Sequence, residues 1–211
     1  MESKSVSKTL LRRLPLYLSH LKSLPEHTAN ISATALARAL GLGDVLVRKD
    51  LAKVSSGGRR KTGYLRENLI RDIEDYLDIN STTAAVIVGA GKLGCALLDY
   101  SGFENSGLEL MAAFDIQPEA QKTQGGKPIY PLEKLEDFCR DNGVRIGIIT
   151  VPADHAQRIA DRLVGCGIRG IWNFAPVQLD VPENVTVQSE NLAISLTALR
   201  MQLKNQERRG I

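Results

Sequence analysis

The sequence predicts an α/β chain in two parts, a small helical domain followed by a doubly wound parallel sheet, and three observations carry that prediction. Charge divides unevenly: residues 1–66 hold 13 Lys and Arg against 4 Asp and Glu, a balance of +9, while residues 67–211 hold 14 against 20, a balance of −6. In the first part apolar residues recur at three- and four-residue spacing, the period of short helices. From residue 82 onward, apolar runs that stop at glycine, aspartate or proline alternate with amphipathic stretches, the pattern of a parallel sheet with crossover helices.

A chain of 211 residues holds one large domain or two small ones, at roughly 100–200 residues each. With 43% hydrophobic and 24% charged residues it falls outside the collagen-like, disordered and membrane classes. No apolar run approaches the roughly 20 residues that cross a bilayer. The N-terminus, MESKSVSKTLLRRLP, lacks the apolar core of a signal peptide, so a cytoplasmic, unprocessed protein is expected. Three scattered cysteines, Cys95, Cys139 and Cys166, form no CxxC pair and argue against a disulfide frame or a structural zinc.

The first helix is expected after Ser7, with Leu10, Leu11, Leu14, Leu18 and Leu21 along one side and an interruption or kink at Pro15. Ser32 is placed to cap a second helix with Leu36, Ala37 and Leu40 inward. Gly41-Leu42-Gly43 turns the corner, and Asp44 caps a third helix, VLVRKDLAKV. Val47, Leu51 and Val54 form one face of that helix, which leaves Arg48, Lys49 and Lys53 off the buried stripe. Two short helices joined by a glycine corner, the second with a basic outer side, make a helix-turn-helix pattern. The stretch SSGGRRKTGY follows, a hairpin-like segment with Arg59, Arg60 and Lys61 at its tip. A basic helix followed by a basic hairpin is what a winged helix offers to DNA, the helix in the major groove and the wing reaching the minor. A charged linker is the alternative for the same residues. A helix over 66–81, with Leu69, Ile70, Ile73 and Leu77 inward, ends this domain.

The second part reads as strand AAVIVGAG, helix KLGCALLDYSG, strand LMAAFDI, a weaker strand KPIY, helix LEKLEDFCRDNG, strand RIGIITVP, helix ADHAQRIADRLVGCG, strands GIWNF and NVTVQ, and a terminal helix NLAISLTALRMQLKNQERR. The expected boundaries are 1–80 for the winged helix, 81–190 for a Rossmann domain and 191–211 for the terminal helix.

Gly89-Ala90-Gly91-Lys92-Leu93-Gly94 is a GxGxxG placed straight after a strand and opening a helix. There the first glycine makes the tight turn, the second admits a pyrophosphate, and the third packs helix on strand. Asp115 ends the second strand 21 residues past Gly94, where a carboxylate accepts from both ribose hydroxyls and repels a 2′-phosphate, favouring NAD(H) over NADP(H). The alternative is a nucleotide-free Rossmann domain in which Asp115 caps a loop. Little chain remains for a substrate domain. His155, the sole histidine of this part, starts a helix and reads as a surface or capping residue, and no catalytic triad, metal cluster or carboxylate pair stands out. The chain therefore reads as a cofactor binder and not an enzyme. Two other readings stay open, a small NAD-dependent oxidoreductase with a basic N-terminal appendage and a nucleotide- or CoA-binding regulatory domain without DNA activity.

Taken together, VRKDL (47–51), the wing ending in Gly63-Tyr64, VGAGKLG (88–94), DYSGF (99–103), Phe114-Asp115 with Pro118, TVPADHAQ (150–157) and GIWNFAP (170–176) resemble the redox-sensing transcriptional repressor family Rex over nearly the whole chain. The resemblance implies a homodimeric repressor on double-stranded palindromic operator DNA, released by NADH and retained with NAD+, with the terminal helix swapped to the partner subunit. It assigns DNA contact to Arg48, Lys49 and Arg60, with Lys53, Arg59 and Lys61 beside them. Gly89, Gly91, Gly94 and Asp115 match the dinucleotide residues, with Ala90, Lys92 and Leu93 between them, and Thr150, Val151 and Pro152 of TVPADHAQ are counted with them as cofactor-binding. Tyr100 and Phe174 match aromatics at the nicotinamide end, although each reads equally well as core. The chain departs from the family at Lys53-Val54-Ser55, where Tyr-Phe-Gly is usual, and at Arg60-Lys61, where Arg-Gly is usual. Both departures lie on the DNA-facing side.

Overall fold

The computed structural model describes residues 7–208, which fall into two compact units divided between Ser81 and Thr82. The N-terminal unit contains α1 (Lys8–Ser23), β1 (Asn30–Ile31), α2 (Ala33–Ala39), α3 (Asp44–Val54), β2 (Tyr64–Leu65) and α4 (Arg66–Tyr76). Its core is Leu10, Leu14, Tyr17, Leu21, Leu36, Val47, Leu51, Leu69 and Ile73, all essentially solvent-free. Each such aliphatic side chain removed from water contributes about 1.5–3 kcal/mol before chain entropy is set against it.

Four expectations for this unit change. α1 runs through Pro15 without interruption. Pro15 sits on the exposed side, where water can satisfy the carbonyl that has lost its donor, while Leu14, Tyr17 and Leu18 hold the opposite side. Leu11 faces solvent, and Tyr17 fills the core position. Ser7 occupies the cap position of α1, but its hydroxyl pairs with that of Thr9 and caps nothing. Asp44 is the first residue of α3 and not its cap. Its carboxylate instead accepts from the Thr34 hydroxyl at 2.8 Å and from Arg48 at 2.7 Å. Ser32 caps α2 as expected, accepting from Ala35 N at 3.0 Å.

The C-terminal unit contains β3 (Thr83–Val88), α5 (Lys92–Leu98), a 3₁₀ turn over 101–106, β4 (Leu108–Asp115), β5 (Ile129–Pro131), α6 (Leu135–Asp141), β6 (Ile146–Ile149), α7 (Ala153–Gly165), β7 (Gly170–Asn173), β8 (Thr186–Ser189) and α8 (Leu192–Arg208). The six strands are all parallel in the order β5-β4-β3-β6-β7-β8. Chain direction across the sheet reverses between β3 and β6, the doubly wound Rossmann arrangement, and that reversal opens a crevice at the carboxyl ends of the two strands. Strands of this kind are buried on both faces, which is why Ala85, Val86, Ile87 and Val88 form an unbroken apolar run. α8 buries none of its described side chains, and residues 209–211 of the expected terminal segment lie outside the described residues. Among the described residues no helix is long and apolar enough to cross a membrane, and no metal-ligating cluster occurs.

Candidate functional site

In the C-terminal unit the registers Val88↔Phe114, Val88↔Ile149 and Ile149↔Asn173 bring four strand ends level. Gly89, Thr150 and Phe174 each stand one residue past the end of their strands and Asp115 is the last residue of β4, so the parallel register alone lines them along one edge of the sheet. Sequence distance hides this; strand pairing creates it.

The three glycines differ in what they permit. Gly89 has φ +107°, and a side chain there would lie 2.9 Å from the backbone and hydroxyl of Thr150. A Cβ on Gly94 would collide with the carbonyl oxygen of Gly89, so α5 packs against its own entry loop only without one. A Cβ on Gly91 would meet nothing within 4 Å. The middle glycine therefore faces open space at the start of α5, where the N–H groups of a first turn lack helical partners. This cradle fits a pyrophosphate: two glycines make the loop compact and the third leaves room for the ligand.

Asp115 is built into the same loop. Its Oδ2 accepts from Ala90 N at 2.7 Å and its Oδ1 from Gln117 N at 3.1 Å. A carboxylate has about four acceptor sites, so two remain for hydroxyls of a ribose. The Thr150 hydroxyl donates towards the carbonyls of Gly89 at 2.7 Å and Val88 at 3.2 Å, which clasps β6 to the glycine loop. On one side of Asp115 lies an apolar cleft of about 210 Å³, walled by Ile116, Leu132, Val151, Pro152, His155 and Ile159. On its other side a more open, polar cleft of about 660 Å³ is bounded by Lys92, Asp99, Gln117, Glu119 and Lys122. Leu93 and Lys92 are exposed on the first turn of α5.

Phe174 is half-buried, and two groups that sequence reasoning passed over fix its place. Asn173 is fully buried, donates to the carbonyls of Ala175 at 3.1 Å and Val177 at 2.9 Å, and accepts from Ala175 N at 2.9 Å. A buried amide satisfied on both sides pins the loop that follows it. The second group is a row of aromatic rings: Phe174 lies 4.6 Å from Trp172, Trp172 5.8 Å from Phe103, and Phe103 5.0 Å from Tyr100. The row joins the two predicted aromatics, with Tyr100 at its exposed end. The motifs GIWNFAP and DYSGF contain all four rings; only the fold shows that they touch.

In the N-terminal unit Arg48, Lys49, Lys53, Arg59, Arg60 and Lys61 are all exposed. Arg48, Arg59, Arg60 and Lys61 line one groove of about 480 Å³ together with Tyr64, so helix and wing present a single basic surface. Lys49 and Lys53 lie elsewhere on α3. Arg59 is at the base of the wing, exchanging hydrogen bonds of 2.8 and 2.9 Å with Gly63, and Arg60, Lys61 and Thr62 form its tip. Two glycines seat the wing. Gly63 has φ +73° with the Ile31 carbonyl where a Cβ would stand, and Gly58 lies against the ring of Tyr64. Burial pushes the Tyr64 hydroxyl pKa up, against the nearby positive charge of Arg48.

Comparisons with known proteins follow the same division. Residues 80–177 match the family described as "CoA binding domain", and residues 5–52 match "Putative DNA-binding protein N-terminus". A redox-sensing transcriptional repressor Rex of Porphyromonas gingivalis is 38% identical over 95% of this chain and 93% of its own length. That of Bacteroides fragilis is 37% identical over 94% and 91%. That of Streptomyces coelicolor is 40% identical over 93% of this chain and 77% of its own. Among solved structures, the repressor RSP in complex with β-NAD+ and operator DNA superposes with a TM-score of 0.89 at 35% identity, covering 99% of this chain and 97% of that one. RSP in complex with β-NADH superposes at 0.86 with 34% identity, covering 99% of each.

Proposed function

This chain belongs to the Rex family of redox-sensing transcriptional repressors, and we propose from that premise that it binds operator DNA as a homodimer and releases it when NADH occupies the C-terminal unit. The observation that carries the reading is the coexistence, in one chain, of a basic helix-and-wing groove and a glycine cradle with Asp115 and Phe174 level along one sheet edge.

In this reading Arg48, Lys49 and Lys53 on α3 and Arg59, Arg60 and Lys61 on the wing contact DNA. The Gly89–Gly94 loop holds the pyrophosphate through the N–H groups that open α5, from Gly91 on, since those of Gly89 and Ala90 donate to the Phe114 carbonyl and to Asp115, and Asp115 accepts from the adenosine ribose. Val151 and Pro152 wall the apolar cleft, and Thr150 holds the loop. The adenosine and pyrophosphate are common to NADH and NAD+, so these residues bind both. Discrimination falls to the nicotinamide end, where Phe174 and Tyr100 would form an apolar wall. The oxidised ring carries a positive charge that such a wall disfavours. A ligand shifts an equilibrium only by its differential affinity for the two states, and DNA must weaken NADH binding by the factor by which NADH weakens DNA binding. Segment 191–211 serves dimerisation, with domain limits at 80 and 190.

We infer that no turnover accompanies binding. His155 borders the apolar cleft beside Ile159 and is absent from the aromatic row, so it is not a proton donor at the nicotinamide. A cytoplasmic location follows from an operator partner.

The test is a titration of a duplex, enriched by the wild-type chain from a randomised pool, with NADH, NAD+ and NADPH added separately. NADH is expected to release the duplex at much lower concentration than NAD+. Phe174→Ala should leave DNA affinity unchanged and shrink that contrast. Equal release by NADH and NAD+ in the wild type, or steady consumption of NADH, would defeat the reading.

A further inference from the structure

We propose that Asp50 is a positioning residue that fixes the rotation of α3 about its own axis, and with it the aim of Arg48 and Lys49; the proposal rests on the reading of α3 as the DNA-contacting helix. Asp50 follows Lys49 directly and points inward, only 3% exposed. Its carboxylate is held by three hydrogen bonds, all from α1: Arg13 Nε at 2.6 Å, Arg13 Nη2 at 2.9 Å and the Tyr17 hydroxyl at 2.8 Å. Arg13 and Asp50 thus form a planar two-bond fork, which constrains orientation as well as distance. The other buried residues of α3 are Val47 and Leu51, aliphatic side chains whose contacts are non-directional.

Stability is a poor explanation for this arrangement. A buried ion pair loses in desolvation most of what it gains in attraction, and apolar residues of the same volume often serve as well or better. Burial by itself would push the Asp50 carboxyl up, but the bonds from Arg13 and Tyr17, with the charge of Lys53 behind them, hold it below the usual carboxylate range. The pair therefore stays ionised and directional. Geometry shows what direction is worth. A helix with its side chains has a radius of about 5–6 Å, so a rotation of roughly 20° carries a side-chain tip about 2 Å. That displacement is enough to lose a hydrogen bond to a base edge, whereas attraction to phosphates, which needs only charge nearby, survives it.

The distinguishing experiment compares wild type, Asp50→Asn, and the apolar triple variant Arg13→Met, Tyr17→Phe, Asp50→Leu, all as full chains. Each is measured for thermal melting, NADH binding, and affinity for the enriched duplex against a scrambled duplex of equal composition. The triple variant should melt like the wild type and bind NADH and scrambled DNA unchanged. Its preference for the enriched duplex should fall roughly ten- to hundredfold, the value of one base-reading contact. Asp50→Asn, which keeps the volume and the Tyr17 bond, should show a smaller fall in the same ratio. An unchanged ratio in either folded variant overturns the proposal. So does a loss of discrimination that occurs only where the fold is also lost, since the clamp would then be a stability device. A wild-type chain that prefers no duplex at all would instead defeat the reading of α3 itself.

Discussion

In the N-terminal unit the groups facing the groove are long, charged side chains on a short helix and a wing, and in the C-terminal unit the glycine loop between β3 and α5 offers backbone. The first kind of site owes its accuracy to what holds its platform: Asp50 clamped to α1, Tyr64 packed under the wing, and Gly63 where no Cβ fits. The second owes its accuracy to what is missing, since Gly89 and Gly94 let the loop close and Gly91 leaves space beside it. Of the departures expected on the DNA-facing side, Lys53 and Lys61 are exposed, whereas Val54 packs against the core and Ser55 is buried, accepting from Gly57 N. A backbone cradle tolerates very little substitution.

The sharpest way to break this contrast is Gly94→Ala. The clash is with the Gly89 carbonyl, which cannot swing away as a side chain would. NADH binding should weaken by at least about 3 kcal/mol, the upper end of the overpacking range, while DNA binding without cofactor persists. Calorimetric titration checks the first part and fluorescence anisotropy the second. Next comes Asp115→Ala, which removes an acceptor for two ribose hydroxyls and should cost NADH about 3 kcal/mol. NADPH should lose less, because a repulsive charge leaves with the acceptor, so the ratio of the two affinities narrows.

Lys49→Ala probes the other unit. It should cost specific DNA binding about 1–3 kcal/mol with an unmoved melting temperature, since Lys49 packs against nothing in the core. The smallest effect belongs to the second Arg–carboxylate fork, Arg162 Nε and Nη2 to Glu136 at 2.6 and 2.8 Å. Its side chains are 27% and 43% exposed, and Glu136→Gln should cost at most about 1 kcal/mol near neutral pH. The bonds from Arg162 hold the Glu136 carboxyl below its ordinary value, and Asp50 is likewise held low. Each therefore contributes stability that is complete above the unfolded pKa of about 4 and lost as pH falls through the lower folded value. Acid melts should show the Asp50→Asn variant converging with wild type at low pH.

Much of the candidate cofactor site was legible because its signal is local. A strand, three glycines at fixed offsets and an acid about 20 residues on are all needed within one βαβ unit, and Gly89, Gly91, Gly94 and Asp115 satisfy that spacing. The unreadable parts are long-range. Asp50 meets Arg13 and Tyr17 from 37 and 33 residues away; its place three residues after Val47 puts it on the inward face of α3, but nothing in VRKDL names the partners it finds there. Tyr100 and Phe174 become neighbours only through Phe103 and Trp172. Pro15 misled because helix propensity is judged without knowing which side meets water, and Asp44 misled because its side chain had two better donors than the backbone.

α8 has a consequence of its own. It presents Leu192, Ile194, Leu196, Leu199, Met201 and Leu203 about half or more uncovered, and its described residues bury no side chain. A helix in a protein draws most of its stability from packing its apolar side chains, so its formation is bound up with the company it keeps. For a homodimer whose pairing surface includes such a segment, melting temperature rises with protein concentration. In such a homodimer dilution would act on the same assembly as the cofactor, and the number of copies in a cell would be an input to the regulator alongside the cell's redox state.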